Sequence, residues 1–249
     1  MAGEPMKSAL VTGASSGIGA ATVRTLRDAG LEVWAMARRA ERLEALAAET
    51  GCHVVVADVQ DGPALEAAVA ELTPDVLVNN AGLGAGMTGL VKASREDLER
   101  TIGTNVTALL DLCRLMLPGM IERGRGHIVN LGSVAGLYPI NSTVYGGSKG
   151  AVHLISQNLR LELRGTGVRV TEINPGRVTT EFFDVAVPDA AASGIDTSPP
   201  IKAMEAQDIG SAIRYAVTAP PHVNVSLIEL QPTEQSFGAT QFDPLDWKQ

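Results

Sequence analysis

Apolar positions in this chain fall into short solid runs, separated by stretches in which they recur every three to four residues. The solid runs occupy 9–11, 33–37, 54–57, 76–78, 127–131, 168–173 and 225–230. Runs this short, with little polar alternation, read as strands buried on both faces. Helical spacing appears at 18–29, 41–48, 63–72, 95–123, from Val144 onward and at 209–217. Gly30 and Gly51 stop the first two helices, Pro63 stands near the start of the third, and Pro118 marks an expected kink in the fourth. Strands alternating with helices predict an α/β fold: a single doubly wound parallel sheet with helices on both faces, one domain spanning 1–249. Two irregular stretches, 176–206 and the tail 232–249, are long for such a domain. The first is expected to be a substrate loop.

Composition narrows the partners. With a formal net charge of −8, the chain is a poor match for nucleic acid or an anionic membrane. Its two cysteines, Cys52 and Cys113, fall inside predicted elements and lack metal or disulfide spacing. No apolar stretch reaches the length of a membrane span, and residues 1–7 carry no apolar targeting run. The expectation is a cytoplasmic protein that works on small molecules.

Three stretches carry chemistry. The first is Thr12-Gly13-Ala14-Ser15-Ser16-Gly17-Ile18-Gly19, between the first strand and the first helix. Glycines there permit a tight turn and close backbone approach, and a helix N-terminus favours a pyrophosphate. The second is Arg38-Arg39 at the end of the second strand, where no acid stands. In dinucleotide sites an acid there suits NAD, whereas arginine accommodates a 2′-phosphate, so the pair points to NADP. The third is Tyr145-Gly-Gly-Ser-Lys149. A spacing of four puts Tyr145 and Lys149 on one helix face, one turn apart. An ammonium about 4 Å from a phenol is worth up to about 4 kcal/mol at an effective dielectric near 20, roughly three pKa units. The lysine is therefore expected to bring the tyrosine toward neutral pH, where a proton shuttle works best.

With Asp58-Val59, Asn79-Asn80-Ala81-Gly82, Asn105, Ser133 and Pro175-Gly176-Arg177-Val178-Thr179-Thr180, these stretches resemble the short-chain dehydrogenase/reductase family over nearly the whole chain. The resemblance implies a Rossmann-type fold and an NADP(H)-dependent oxidoreductase. It implies a cofactor site of Gly13, Ser15, Ser16, Gly17, Ile18 and Gly19 with Arg38 and Arg39. Asp58 and Val59 would flank the adenine, and Asn80, Ala81 and Gly82 would steady the cofactor at the central strands. Pro175, Gly176 and Val178 would bracket the nicotinamide, with Thr180 near its carboxamide or phosphate. Ser133 would meet the substrate carbonyl, Tyr145 would move the hydroxyl proton, and Lys149 would hold the nicotinamide ribose. Asn105 would fix a water leading from Lys149 toward solvent. Gly132 departs from the family, which often has a second serine there.

The expected reaction exchanges a hydride between NADP(H) and a carbonyl or secondary alcohol, with neutral ketones and alcohols the primary substrates. The alternative is a 3-hydroxy acid, because residues 222–237 resemble the C-terminus of serine-type 3-hydroxy-acid dehydrogenases. Arg177 could then hold a carboxylate, unless Glu181 or Asp184 neutralises it. Leu83, Val134, Tyr138, Ile140, Phe182 and Phe183 are the expected pocket walls. The non-enzyme alternative is an inactive dinucleotide sensor, against which the presence of Ser133, Tyr145 and Lys149 together argues. The resemblance also implies a homo-tetramer, with helices 95–123 and 144–164 at one interface and the last strand and tail, including Leu227 and Trp247, at another.

Overall fold

The computed structural model describes residues 5–186, 200–236 and 241–247. The parts of the expected loop and tail at 187–199, 237–240 and 248–249, including Pro188 and Pro199, lie outside the described residues. Seven parallel strands form one sheet in the order β3-β2-β1-β4-β5-β6-β9. They are β1 (Ser8–Thr12), β2 (Glu32–Ala37), β3 (His53–Val56), β4 (Val76–Asn79), β5 (Gly126–Leu131), β6 (Val168–Pro175) and β9 (Leu227–Leu230). A separate parallel pair, β7 (Val178–Thr179) with β8 (Met204–Glu205), was not legible as strand in the sequence because it is two residues long.

Period-two alternation sorts each central strand between two cores. Ala9 and Val11 of β1, Val76 and Val78 of β4, and Val129 and Leu131 of β5 face one side. There they pack with Leu26 of α1 (Gly17–Asp28), Leu43 of α2 (Ala40–Thr50), and Ile209 and Ile213 of α9 (Ala206–Thr218). Leu10, Leu77 and Ile128 from the same strands face the other side. Their partners there are Leu65 of α3 (Gly62–Val69), Leu112 and Met116 of α5 (Ala108–Glu122), and Val152 and Leu159 of α7 (Thr143–Glu162). Both faces are therefore covered, which explains why the strands read as solid apolar runs.

The expected long helix at 95–123 is three pieces: α4 (Arg95–Ile102), a π-helical turn at Gly103–Thr107 and α5. The irregularity thus falls at Asn105, while Pro118 lies inside α5. Two short helices complete the chain's course at the cleft, α6 (Val134–Leu137) and α8 (Phe182–Ala186). Among the described residues, no helix is long and apolar enough to cross a membrane.

Candidate active site

All seven strands point the same way, so their C-terminal ends share one edge. A cleft of about 740 Å³ opens along that edge. Every expected cofactor residue lines it: Gly13, Ser15, Ser16, Gly17, Ile18, Gly19, Arg38, Arg39, Asp58, Val59, Asn80, Ala81, Gly82, Tyr145, Lys149, Pro175, Gly176, Val178 and Thr180. Ser133 lines it too, whereas Asn105 lies beneath the wall.

One end is a bare backbone cradle. Gly13 and Gly17 have φ of 65° and 50°, a region that disfavours side chains. A Cβ on Gly19 would come within 2.6 Å of Asn80 Nδ2 and press on the Gly13 carbonyl. Thr12 ties this turn to the end of β4: its hydroxyl accepts the Asn80 and Ala81 N–H groups at 3.0 and 2.9 Å. Asn80 Nδ2 returns a bond to the Thr12 carbonyl at 2.8 Å. The cradle opens directly onto the N-terminus of α1, where orphan N–H groups and the helix dipole suit a pyrophosphate. Arg39 closes the adjoining rim, giving Nε to Ser15 Oγ at 2.9 Å and Nη2 to Ser16 Oγ at 2.7 Å. Arg38 instead faces Asp58, 3.7 Å away. These groups fit a dinucleotide with a phosphate near Arg39.

The other end carries the hydroxyls of Ser133 and Tyr145. Ser133 caps α6, accepting the Ala135 N–H on Oγ at 3.1 Å, and it lines the cleft together with Tyr145. Tyr145 and Lys149 lie one turn apart on α7, with the ammonium 6.0 Å from the ring centre. Lys149 Nζ is buried and donates to the Leu131 carbonyl at 2.7 Å. Asn105 holds the neighbourhood rigid: Oδ1 accepts Leu83 N–H at 2.8 Å, while Nδ2 donates to the Leu83 carbonyl and to Ser148 Oγ at 2.8 and 2.9 Å. The π turn supplies its place, since widening the helix there turns Asn105 inward.

The expected lowering of the tyrosine pKa is corrected by this geometry. Burial pushes the Tyr145 phenol up to about 12, with only the Ser133 hydroxyl pulling it down. The same burial lowers Lys149 to about 8, against an upward pull from Glu172. Loss of hydration penalises both charged forms, and here it exceeds the opposing pull of Ser133 on Tyr145 and of Glu172 on Lys149. Tyr145 is therefore a neutral phenol throughout the physiological range.

Of the expected walls, Leu83, Val134, Ile140, Phe182 and Phe183 line the cleft. Tyr138 does not; its hydroxyl is drawn off to Glu229 on β9 at 3.1 Å. Phe182 packs on Tyr145 at 5.5 Å between ring centres. Arg177 lies over Phe183, its guanidinium carbon 3.8 Å from the ring centre. Glu181 pairs with Arg39 and Arg42. The Asp184 side chain lies outside the described residues.

Several supporting residues escaped the sequence reading. Asn174 Oδ1 accepts the Ser133 N–H at 2.9 Å, and buried Glu172 accepts His153 Nδ1 at 2.7 Å. A Cβ on Gly132 would run into Asn174 and come within 2.7 Å of Glu172 Oε1. Gly132 therefore stands where a serine would not fit. Gln235 reaches in from the tail, accepting the Arg177 N–H at 2.8 Å. Glu172 and Asn174 sit on β6, where a polar residue in a buried strand was the available signal.

Residues 7–191 match the family model described as short chain dehydrogenase. An NADP-dependent 3-hydroxy acid dehydrogenase of Salmonella typhi is 44% identical over 237 residues, covering 92% of this chain and 96% of that protein. A serine 3-dehydrogenase of Agrobacterium fabrum is 40% identical, covering 93% of this chain and 96% of its own. Among solved structures, a closed form of serine dehydrogenase complexed with NADP+ superposes with a TM-score of 0.88 at 40% identity, covering 94% of this chain and 98% of that one.

Proposed function

Because the chain belongs to the short-chain dehydrogenase family of oxidoreductases, we propose that it interconverts a hydroxyl and a carbonyl group using NADP(H), with a 3-hydroxy acid as the best-fitting substrate class. One cleft joins a glycine cradle flanked by Arg39 to the Ser133, Tyr145 and Lys149 cluster, and this supports the reading most directly. Similarity to an NADP-dependent 3-hydroxy acid dehydrogenase and a serine 3-dehydrogenase supports the cofactor and the substrate class.

When bound, the nicotinamide supplies or takes up the hydride. The chain's own residues orient the substrate and handle one proton. In reduction, negative charge grows on the carbonyl oxygen, and the hydroxyls of Ser133 and Tyr145 meet it as donors. Tyr145, neutral at physiological pH, gives up its proton there. Lys149, one turn away, keeps a positive charge near the phenolate that remains. Oxidation requires the reverse, the alcohol proton passing to Tyr145 in its phenolate form beside Lys149. Asn105 acts through the Leu83 backbone and Ser148, fixing the floor under Lys149.

Arg177 is the carboxylate partner in this reading. It lines the cleft beside Val178, stacked on Phe183, with its backbone anchored by Gln235. Neutral ketones and secondary alcohols are the second reading, favoured by the apolar walls at Leu83, Val134 and Ile140.

The protein works as a cytoplasmic homo-tetramer in this account. Its buried free cysteines, Cys52 and Cys113, suit a reducing compartment. Leu110 on α5 and Leu154 and Leu161 on α7 are 43%, 56% and 69% exposed, an apolar face that a second copy would cover. Leu227 on β9 and Leu245 and Trp247 on the tail are exposed as well, and a second copy would cover them.

Light scattering at micromolar concentration should report a tetramer; a monomer would remove the oligomer from the account. Tyr145→Phe should lower turnover by about 10²–10⁴-fold, the usual contribution of a general acid, while NADPH affinity stays within about twofold. Lys149→Ala should lose turnover and cofactor affinity together. Tyr145→Phe retaining more than a few per cent of activity would reject the proton-transfer role. Arg177→Ala should raise KM for 3-hydroxy acids at least about tenfold, the size of a lost charge-assisted hydrogen bond, and leave neutral alcohols unchanged. Equal kinetics on both substrate classes before and after the change would return the substrate to the neutral reading.

A further inference from the structure

Glu181 sits where the cofactor rim and the substrate wall meet. It lies between Thr180 and Phe182, so a single peptide link separates it from the ring packed on Tyr145. Both carboxylate oxygens accept Arg42 Nη1 at 2.8 Å, and one also accepts Arg39 Nη1 at 3.2 Å. Arg39 extends the network to the cradle through Ser15 and Ser16. Arg39 is the N-cap residue of α2 and Arg42 lies in its first turn, so the helix N-terminus adds its own partial positive charge. Two guanidinium groups thus converge on one carboxylate. The three side chains are each 44–47% exposed, so a solute anion can reach them. Their hydrogen bonds, Arg42 first and Arg39 second, hold the Glu181 carboxyl below the usual carboxylate range.

We propose that Glu181 is an internal competitor for the 2′-phosphate of NADP(H), and that Arg42 joins Arg39 as a specificity-determining residue for that phosphate. The proposal rests on the NADP reading and deepens it. A 2′-phosphate carries up to two negative charges and presents three acceptor oxygens, so it outcompetes a single carboxylate for a guanidinium fork. A nucleotide with a free 2′-hydroxyl offers no such charge and leaves the Glu181 pairs intact. Glu181 therefore satisfies the two arginines whenever the phosphate does not, and its own attraction to them is subtracted from the phosphate's affinity.

Isothermal titration of the full chain with adenosine 2′,5′-bisphosphate and with adenosine 5′-monophosphate tests this without turnover. Wild type should bind the bisphosphate more tightly than the monophosphate. Glu181→Gln should tighten the bisphosphate about two- to fivefold, the scale of an exposed ion pair, and leave the monophosphate unchanged. Arg42→Ala should weaken the bisphosphate about tenfold or more, and in that background Glu181→Gln should gain less. Wild type preferring the bisphosphate, with Glu181→Gln unchanged or weaker, would overturn the competitor role and leave the NADP reading standing. Wild type binding both nucleotides equally would overturn the NADP reading and the proposal with it.

Discussion

An amine buried at the C-terminal end of a central strand is the constraint on which the rest of this site depends. Lys149 is 6% exposed, and burial disfavours its charged form. The Glu172 carboxylate opposes that effect, leaving the group at about 8, and the Leu131 carbonyl holds Nζ in place at 2.7 Å. Packing follows from the same need. A Cβ on Gly136 would come within 2.5 Å of the Lys149 carbonyl, so only a glycine there lets α6 lie against α7. Gly132 leaves the same kind of room for Asn174 and Glu172 under Ser133. Small residues around Lys149 are the condition for bringing an ammonium, a phenol and a serine hydroxyl to one wall.

The sheet turns this local arrangement into a working cleft. Parallel strands deliver the ends of β1, β2, β4, β5 and β6 to one edge, and each contributes a different function. β1 leads into the glycine cradle, β2 into Arg39, β4 into Asn80, β5 into Ser133 and β6 into Pro175 and Arg177. Thr12 and Asn80 cross-brace the first and third of these, so the cradle is held by the core rather than by a free loop. The tail adds a last brace through Gln235 to Arg177. Glu234 fixes that tail by accepting the Lys202 and Leu245 N–H groups, each at 2.6 Å.

Most of this was legible in the sequence because it rests on local pattern. Solid apolar runs gave the seven strands, and helical spacing put Tyr145 and Lys149 one turn apart. What escaped depends on contacts between distant parts of the chain. The π turn at Asn105 shows no period of its own inside a helical stretch. Tyr138 was expected in the cleft, but a glutamate 91 residues away claims its hydroxyl. Glu181 was set against Arg177 by proximity in sequence, yet it bonds arginines about 140 residues upstream. The Tyr145 shift went the other way because spacing reveals a neighbour's charge, whereas the depth of burial belongs to the folded chain.

The account stands on hydride exchange at a hydroxyl-bearing carbon, with Ser133 and Tyr145 receiving the oxygen. The most direct test supplies NADPH deuterated on the transferring face of its nicotinamide ring together with a 3-oxo acid, followed by mass spectrometry of the product. The account predicts a 3-hydroxy acid carrying one deuterium on the former carbonyl carbon, of a single configuration. Tight NADPH binding with no deuterium in the product of this or any ketone offered would contradict it and identify a dinucleotide-binding protein without turnover.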